Sequence, residues 1–125
     1  MRTILALLLG LALAANGVFM LSDPARWYAL VGAAGTGPLN AHFVRDLGGA
    51  YLVAGVAAAW FAFDARLRMA AAAGAAFLAL HALVHIGEAI AGQRDAGQLA
   101  GDLVPVFAPA AILLWLVWSS PTRNR

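Results

Sequence analysis

The chain has no cysteine and no lysine, and charged residues make up only 11% of its 125 positions. Without a thiol there is no disulfide, no thiol catalysis, no iron–sulfur cluster and no zinc–thiolate centre. Any metal has to be held by imidazole, carboxylate or water. The eight positive side chains are all arginines, scattered over loops and termini without a basic run, which argues against a nucleic-acid partner. A glycine-rich phosphate loop and a Gly-x-Ser-x-Gly elbow are both missing. The few Ser and Thr residues lie at termini and turns, away from the histidines, which argues against a nucleophilic hydrolase.

What fills the chain instead is apolar. Hydrophobic residues reach 63% and the mean hydropathy is +0.82, outside the range of an ordinary water-soluble domain. The length allows about four membrane crossings of ~20 residues each. The sequence therefore predicts an all-α, integral membrane, antiparallel four-helix bundle, one domain over residues 1–125, with the lipid bilayer as its main partner.

Four apolar segments carry that expectation, at Thr3–Leu21, Ala41–Phe63, Met69–Ala91 and Leu99–Trp118. The opening, Arg2 and an apolar run to Ala12-Leu13-Ala14, looks like a secretion signal. The apolar residues continue through Val18, Phe19, Met20 and Leu21, so a retained span is expected. Ser22-Asp23-Pro24 is a helix cap followed by a proline at the first helical position. It starts a short segment, residues 24–33, in which Trp27 and Tyr28 beside Arg26 favour the headgroup level, so a short interfacial helix is expected between spans 1 and 2. Gly35-Thr36-Gly37-Pro38 reads as a turn, Asn40 as the cap of the second span and Gly92 to Gln98 as a further turn.

Small residues, Gly48, Gly49, Ala50, Ala54, Gly55 and Ala57 to Ala59, give the second span a face that another helix can approach closely. The polar connection Asp64 to Arg68 is short enough to turn the third span antiparallel to the second. Pro105 and Pro109 each remove a helical hydrogen bond in the first half of the last span. Trp60, Trp115 and Trp118 are expected in the inner aromatic belt.

Arginine placement sets the expected orientation. Arg2, Arg66, Arg68, Arg123 and Arg125 fall on the side of both termini and the middle connection, against Arg26 and Arg94 on the other. The positive-inside rule then places a multi-pass protein in a bacterial inner membrane with both termini cytoplasmic.

The ionisable residues inside the spans all fall in the outer half of the bilayer. Charges and imidazoles in hydrocarbon cost several kcal/mol unless paired, so such residues mark a functional-site hypothesis. His81, His85 and Glu88 form a His-x-x-x-His-x-x-Glu stripe on one helix, His42 and Asp46 a second stripe with Arg45 alongside, and Asp102 opens the fourth span. Facing each other, His42, Asp46, His81, His85, Glu88 and Asp102 would suit a transition-metal site of nitrogen and oxygen ligands, with Zn, Fe, Mn, Cu or Ni admissible, or metal-dependent redox chemistry. Arg45 and Asn16 are the expected cofactor-binding neighbours. Trp27 and Tyr28 are placed to close the site as a lid.

Other readings of the same residues stand beside this one. The imidazoles and carboxylates could satisfy one another as a structural hydrogen-bond network in a non-enzymatic bundle or accessory subunit. Asp102 could serve only the dipole at a helix start. Bis-histidine haem ligation, a quinone hydrogen-bonded to His and Arg, and a proton relay are further alternatives. Whether the chain is an enzyme stays open, as do a homo-oligomer and a membrane partner protein.

The Asp23-Pro24 after the first span, the His42-Phe-Val-Arg45-Asp46-Leu-Gly-Gly-Ala-Tyr51 opening of the second and the His81-Ala-Leu-Val-His85-Ile-Gly-Glu88 close of the third resemble small four-helix bacterial inner-membrane proteins of the broad DoxX-like type. That resemblance covers nearly the whole chain in architecture. It implies a four-helix membrane bundle and assigns no role to any residue.

Overall fold

The computed structural model describes residues 1–31 and 37–119. Six α-helices lie in these residues, with no strand among them: α1 Arg2–Ser22, α2 Pro24–Leu30, α3 Ala41–Phe61, α4 Arg68–Ile90, α5 Ala96–Gly101 and α6 Ala108–Trp118. The segments Arg2–Ser22 and Ala65–Ile90 are long and apolar enough to cross a membrane, whereas Leu103–Trp118 is a shorter apolar stretch. Helix α3 matches α1 in length at 21 residues, but His42, Arg45, Asp46 and three glycines dilute its apolar character.

Local chemistry explains the helix starts. The Asp23 carboxylate accepts from the Arg26 backbone N–H, and Pro24 follows at the first helical position, so α2 begins where the sequence places it. Asn40 caps α3 by accepting from the Phe43 N–H at 3.1 Å. Asp95 and Gln98 form a reciprocal capping box that starts α5. That box corrects one expectation, because residues 96–101 form a separate short helix inside what reads as turn and span. The Gly35 and Thr36 part of the other expected turn, with Ala33 of the interfacial segment, lies outside the described residues.

The last apolar stretch departs further from a regular span. Pro105 has no N–H to give to Gly101, and its ring would crowd that carbonyl in a normal α-turn. The backbone widens instead. Residues 103–107 form a π-turn in which the Phe107 N–H donates to the Asp102 carbonyl at 3.1 Å. Regular α-helix resumes only with α6, 11 residues long, with Pro109 in its first turn, where the missing donor does no harm.

Helices α1 and α3 pack backbone against backbone. On α1, Gly10 and Gly17 are seven residues apart, as are Gly48 and Gly55 on α3, and Ala6, Leu13, Met20, Val44, Tyr51 and Ala58 keep the same interval. A seven-residue interval keeps one narrow seam facing the partner. A methyl group built on Gly17 would lie 2.5 Å from the Leu52 nitrogen, so only glycine permits this approach. Beyond this pair, α4 packs on α3 and α6 on α4. Ala71, Ala75 and Leu78 on α4 and Leu113 and Leu116 on α6 complete a core of almost no accessible surface.

Two arginines tie one end of the molecule together. Arg2, at the start of α1, donates to the Ser119 carbonyl at 2.6 Å and lies over the Trp115 ring. Arg68, at the start of α4, donates to the Val117 carbonyl at 2.8 Å. Both guanidinium groups thus meet the unpaired carbonyls and negative dipole end of α6. The opposite end of the chain holds the ionisable cluster.

Candidate ionic site at the end of helix α4

The end of α4 builds this cluster through its C-cap. Gly92 takes φ of 73°, a left-handed conformation open to glycine. The Gln93 N–H then returns to the Glu88 carbonyl at 2.8 Å and the Gly92 N–H to Ala89, a Schellman closure. This turn folds the chain back so that Arg94 lies over the last turn of α4. Its Nε donates to Glu88 at 2.7 Å. Its Nη1 donates to Oδ2 of Asp102, also at 2.7 Å.

The same Asp102 oxygen meets Nδ1 of His85 at 2.7 Å. A carboxylate already accepting from a guanidinium is ionised, so the His85 Nδ1 carries the hydrogen and donates. The three side chains are largely enclosed, at 12% exposure for His85, 15% for Asp102 and 13% for Arg94, with Glu88 more open at 35%. Charge-assisted bonds at these distances and this burial are the strong kind. The network joins α4, the turn after it and the residue that ends α5.

His81 continues the line inward without a hydrogen bond. Its ring meets the His85 ring edge-on at 4.8 Å and Tyr51 of α3 edge-on at 5.9 Å, and stacks on Phe77 at 6.3 Å. Tyr51 and Phe77 are themselves in edge contact at 5.4 Å. An aromatic box therefore runs from the core to the ionic network. It packs as rings do when their quadrupoles are matched.

The structure thus brings together four of the six expected ligands, His81, His85, Glu88 and Asp102, and places the other two elsewhere. His42 and Asp46 pair with each other at 3.4 Å, one turn apart on α3, with their side chains 88% and 66% exposed. Helical spacing makes that internal pair easier than a reach across to α4. Arg45 donates to the Leu21 carbonyl at 3.4 Å and so serves the end of α1. Asn16 accepts from the Trp27 indole N–H at 2.9 Å and contacts Met20 sulfur at 3.6 Å, which fixes α2 against α1. The Tyr28 hydroxyl donates to the Gly37 carbonyl.

Among the described residues, no group of three or more His, Asp or Glu side chains is disposed to hold a metal ion. The physical reason lies in Arg94. Its guanidinium occupies the space between Glu88 and Asp102, where a cation would have to sit, and brings a positive charge there itself.

Arg94, Tyr51 and Phe77 were not among the expected site residues. The signal for Arg94 was available in Glu88 and Gly92, since an acid in the last turn followed by a C′ glycine brings the next side chains back over it. Tyr51 and Phe77 offered no such signal, because their meeting depends on how α3 and α4 face each other. No family model, curated protein or solved structure matches the chain. The DoxX-like resemblance therefore rests on the sequence pattern alone.

Proposed function

We propose that this chain is a small inner-membrane protein, an antiparallel bundle of four spans with both termini cytoplasmic, and that it works as a non-enzymatic membrane component or accessory subunit. Its ionic cluster acts as a lock that holds the α5 turn and the π-segment on the end of α4. The observation that carries this reading is the sharing of one Asp102 oxygen by His85 and Arg94, with Arg94 also bound to Glu88. Each charge in the cluster is answered from within it, as polar groups near hydrocarbon must be. The apolar exteriors support the membrane part, with Val53, Ile90, Leu80 and Val104 all largely uncovered.

The metal and redox reading has less support. It asks for His42 and Asp46 beside the α4 histidines and for carboxylates without an arginine between them. Elemental analysis and absorption spectra of the detergent-purified protein separate the two. The lock reading expects no stoichiometric metal, no haem band and a thermal midpoint indifferent to chelator. Metal at one equivalent, lost in a His81→Ala, His85→Ala double variant, would replace it with the metal site.

Topology is tested separately, and the absence of native cysteine makes the test clean. Single cysteines at Gln98 and at Arg66 are treated with an impermeant maleimide on intact cells. Gln98→Cys is expected to label and Arg66→Cys to be protected until lysis. The reverse pattern would invert the proposed orientation.

A further inference from the structure

An apolar groove runs along the outside of α3 and α4 toward the arginine-rich end. Leu52, Val53, Val56 and Trp60 form one wall, Leu67 and Ala70 the other, and its lining is entirely apolar. From Leu52 to Trp60 the groove follows about 12 Å of helix. That is close to one leaflet of hydrocarbon, ~15 Å, and well short of the ~30 Å that a partner spanning helix would need. Trp60 stands 63% exposed at its cytoplasmic end, at the depth where indole rings favour the headgroup boundary.

The mouth of the groove is cationic. Arg66 contacts Asp64 through its backbone N–H and Nε, and Arg68 contacts Val117 through Nε. The terminal Nη groups of both side chains are left to meet an outside acceptor. Two guanidinium groups against one carboxylate leave this connection positive. A second copy seated on the groove in the same membrane orientation would bring its own Arg66 and Arg68 beside these, like charge against like. A phosphate would neutralise them through paired N–H donors.

We propose that this groove holds one acyl chain of an anionic phospholipid of the inner leaflet, with its phosphate met by Arg66 and Arg68. The proposal rests on the membrane reading above. It makes the α3–α4 connection a specific lipid site.

Brominated lipids quench indole fluorescence on contact, so Trp60 reports its own occupant. The protein and its Trp60→Phe variant are reconstituted in mixed phosphatidylglycerol and phosphatidylcholine vesicles, with bromine on the acyl chains of one lipid at a time. The Trp60 signal is the difference between the two proteins. Stronger quenching by brominated phosphatidylglycerol is expected, by roughly fivefold in relative affinity for each arginine engaged, with the preference reduced in Arg66→Gln. Equal quenching by the two headgroups would overturn the lipid site while leaving membrane insertion intact. Trp60 shielded while the other tryptophans are quenched would assign the groove to a second copy and equally overturn it. No quenching of any tryptophan would show that the membrane reading itself has failed.

Discussion

The Nδ1 of His85 lies 2.7 Å from Oδ2 of Asp102 across the junction between α4 and the π-segment. This bond is long-range in sequence and joins the end of the most regular helix to the start of the least regular segment. The π-turn places Asp102 within reach. Its carbonyl takes both the Val106 and Phe107 N–H groups while its carboxylate faces His85 and Arg94.

Arg94 is the centre of that junction, and removing it strands two carboxylates. Arg94→Ala is expected to destabilise the protein by about 1–3 kcal/mol, a range discounted for the partial exposure of Glu88. Adding Glu88→Gln and Asp102→Asn to the same chain should recover most of the loss, because no charge is then left alone. Thermal unfolding in detergent measures both. Equal midpoints for the wild type and Arg94→Ala would refute the lock.

The glycine seam gives a prediction with a built-in control. Gly17→Val places a side chain against the Leu52 backbone, where no side chain can move aside, and is expected to cost about 3 kcal/mol or to block folding. A methyl group on Gly49 meets nothing within 4 Å, so Gly49→Ala should raise stability by up to about 1 kcal/mol through helix propensity. Similar effects from the two substitutions would mean that α1 and α3 do not approach as described.

Trp27 and Asn16 form a pair suited to a double-mutant cycle. Trp27→Phe leaves the Asn16 carbonyl oxygen without its indole donor, and a loss of about 1–3 kcal/mol is expected. Combining it with Asn16→Leu removes both polar partners and should cost less than the sum of the single changes. Strict additivity would show that the bond contributes nothing.

Asp64 provides the pH prediction. Its carboxyl is held below the usual aspartate range, first by the side-chain bond from Arg66 and then by the Arg66 backbone N–H. A carboxyl depressed on folding adds stability above its unfolded value, and that contribution disappears as the pH falls through the folded one. Carbon-13 titration of the Asp64 carboxyl should give a low midpoint that rises in Arg66→Gln. The same midpoint in both proteins would show that Arg66 does not set it.

Much of the local structure was legible before any coordinates. Asp23-Pro24 and Asn40 announced helix starts because a short polar side chain beside its own backbone is a local interaction. The spans began and ended within a residue or two of expectation at α1 and α4, where apolar residues run without interruption. The last span was misread as one helix from Leu99, since two prolines and a capping box act against it together and only the built backbone shows how they resolve. In the site, His81, His85 and Glu88 were readable as one stripe because helical spacing alone puts them there. That His42 and Asp46 would turn to each other was equally available from their spacing, but an exposed pair and a shared site look the same in one dimension.

Composition and periodicity determined the helical, apolar character of this chain, its helix starts and the crowding of ionisable groups toward one end, because those properties depend on neighbours within a turn or two. Tertiary structure decided which of those groups meet. The left-handed turn at Gly92 brings Arg94 back over Glu88, and the widened turn at Pro105 accompanies the placement of Asp102 beside both Arg94 and His85. Contacts between residues far apart in sequence follow from how separate helices pack and turn, and that information lies in the fold as a whole.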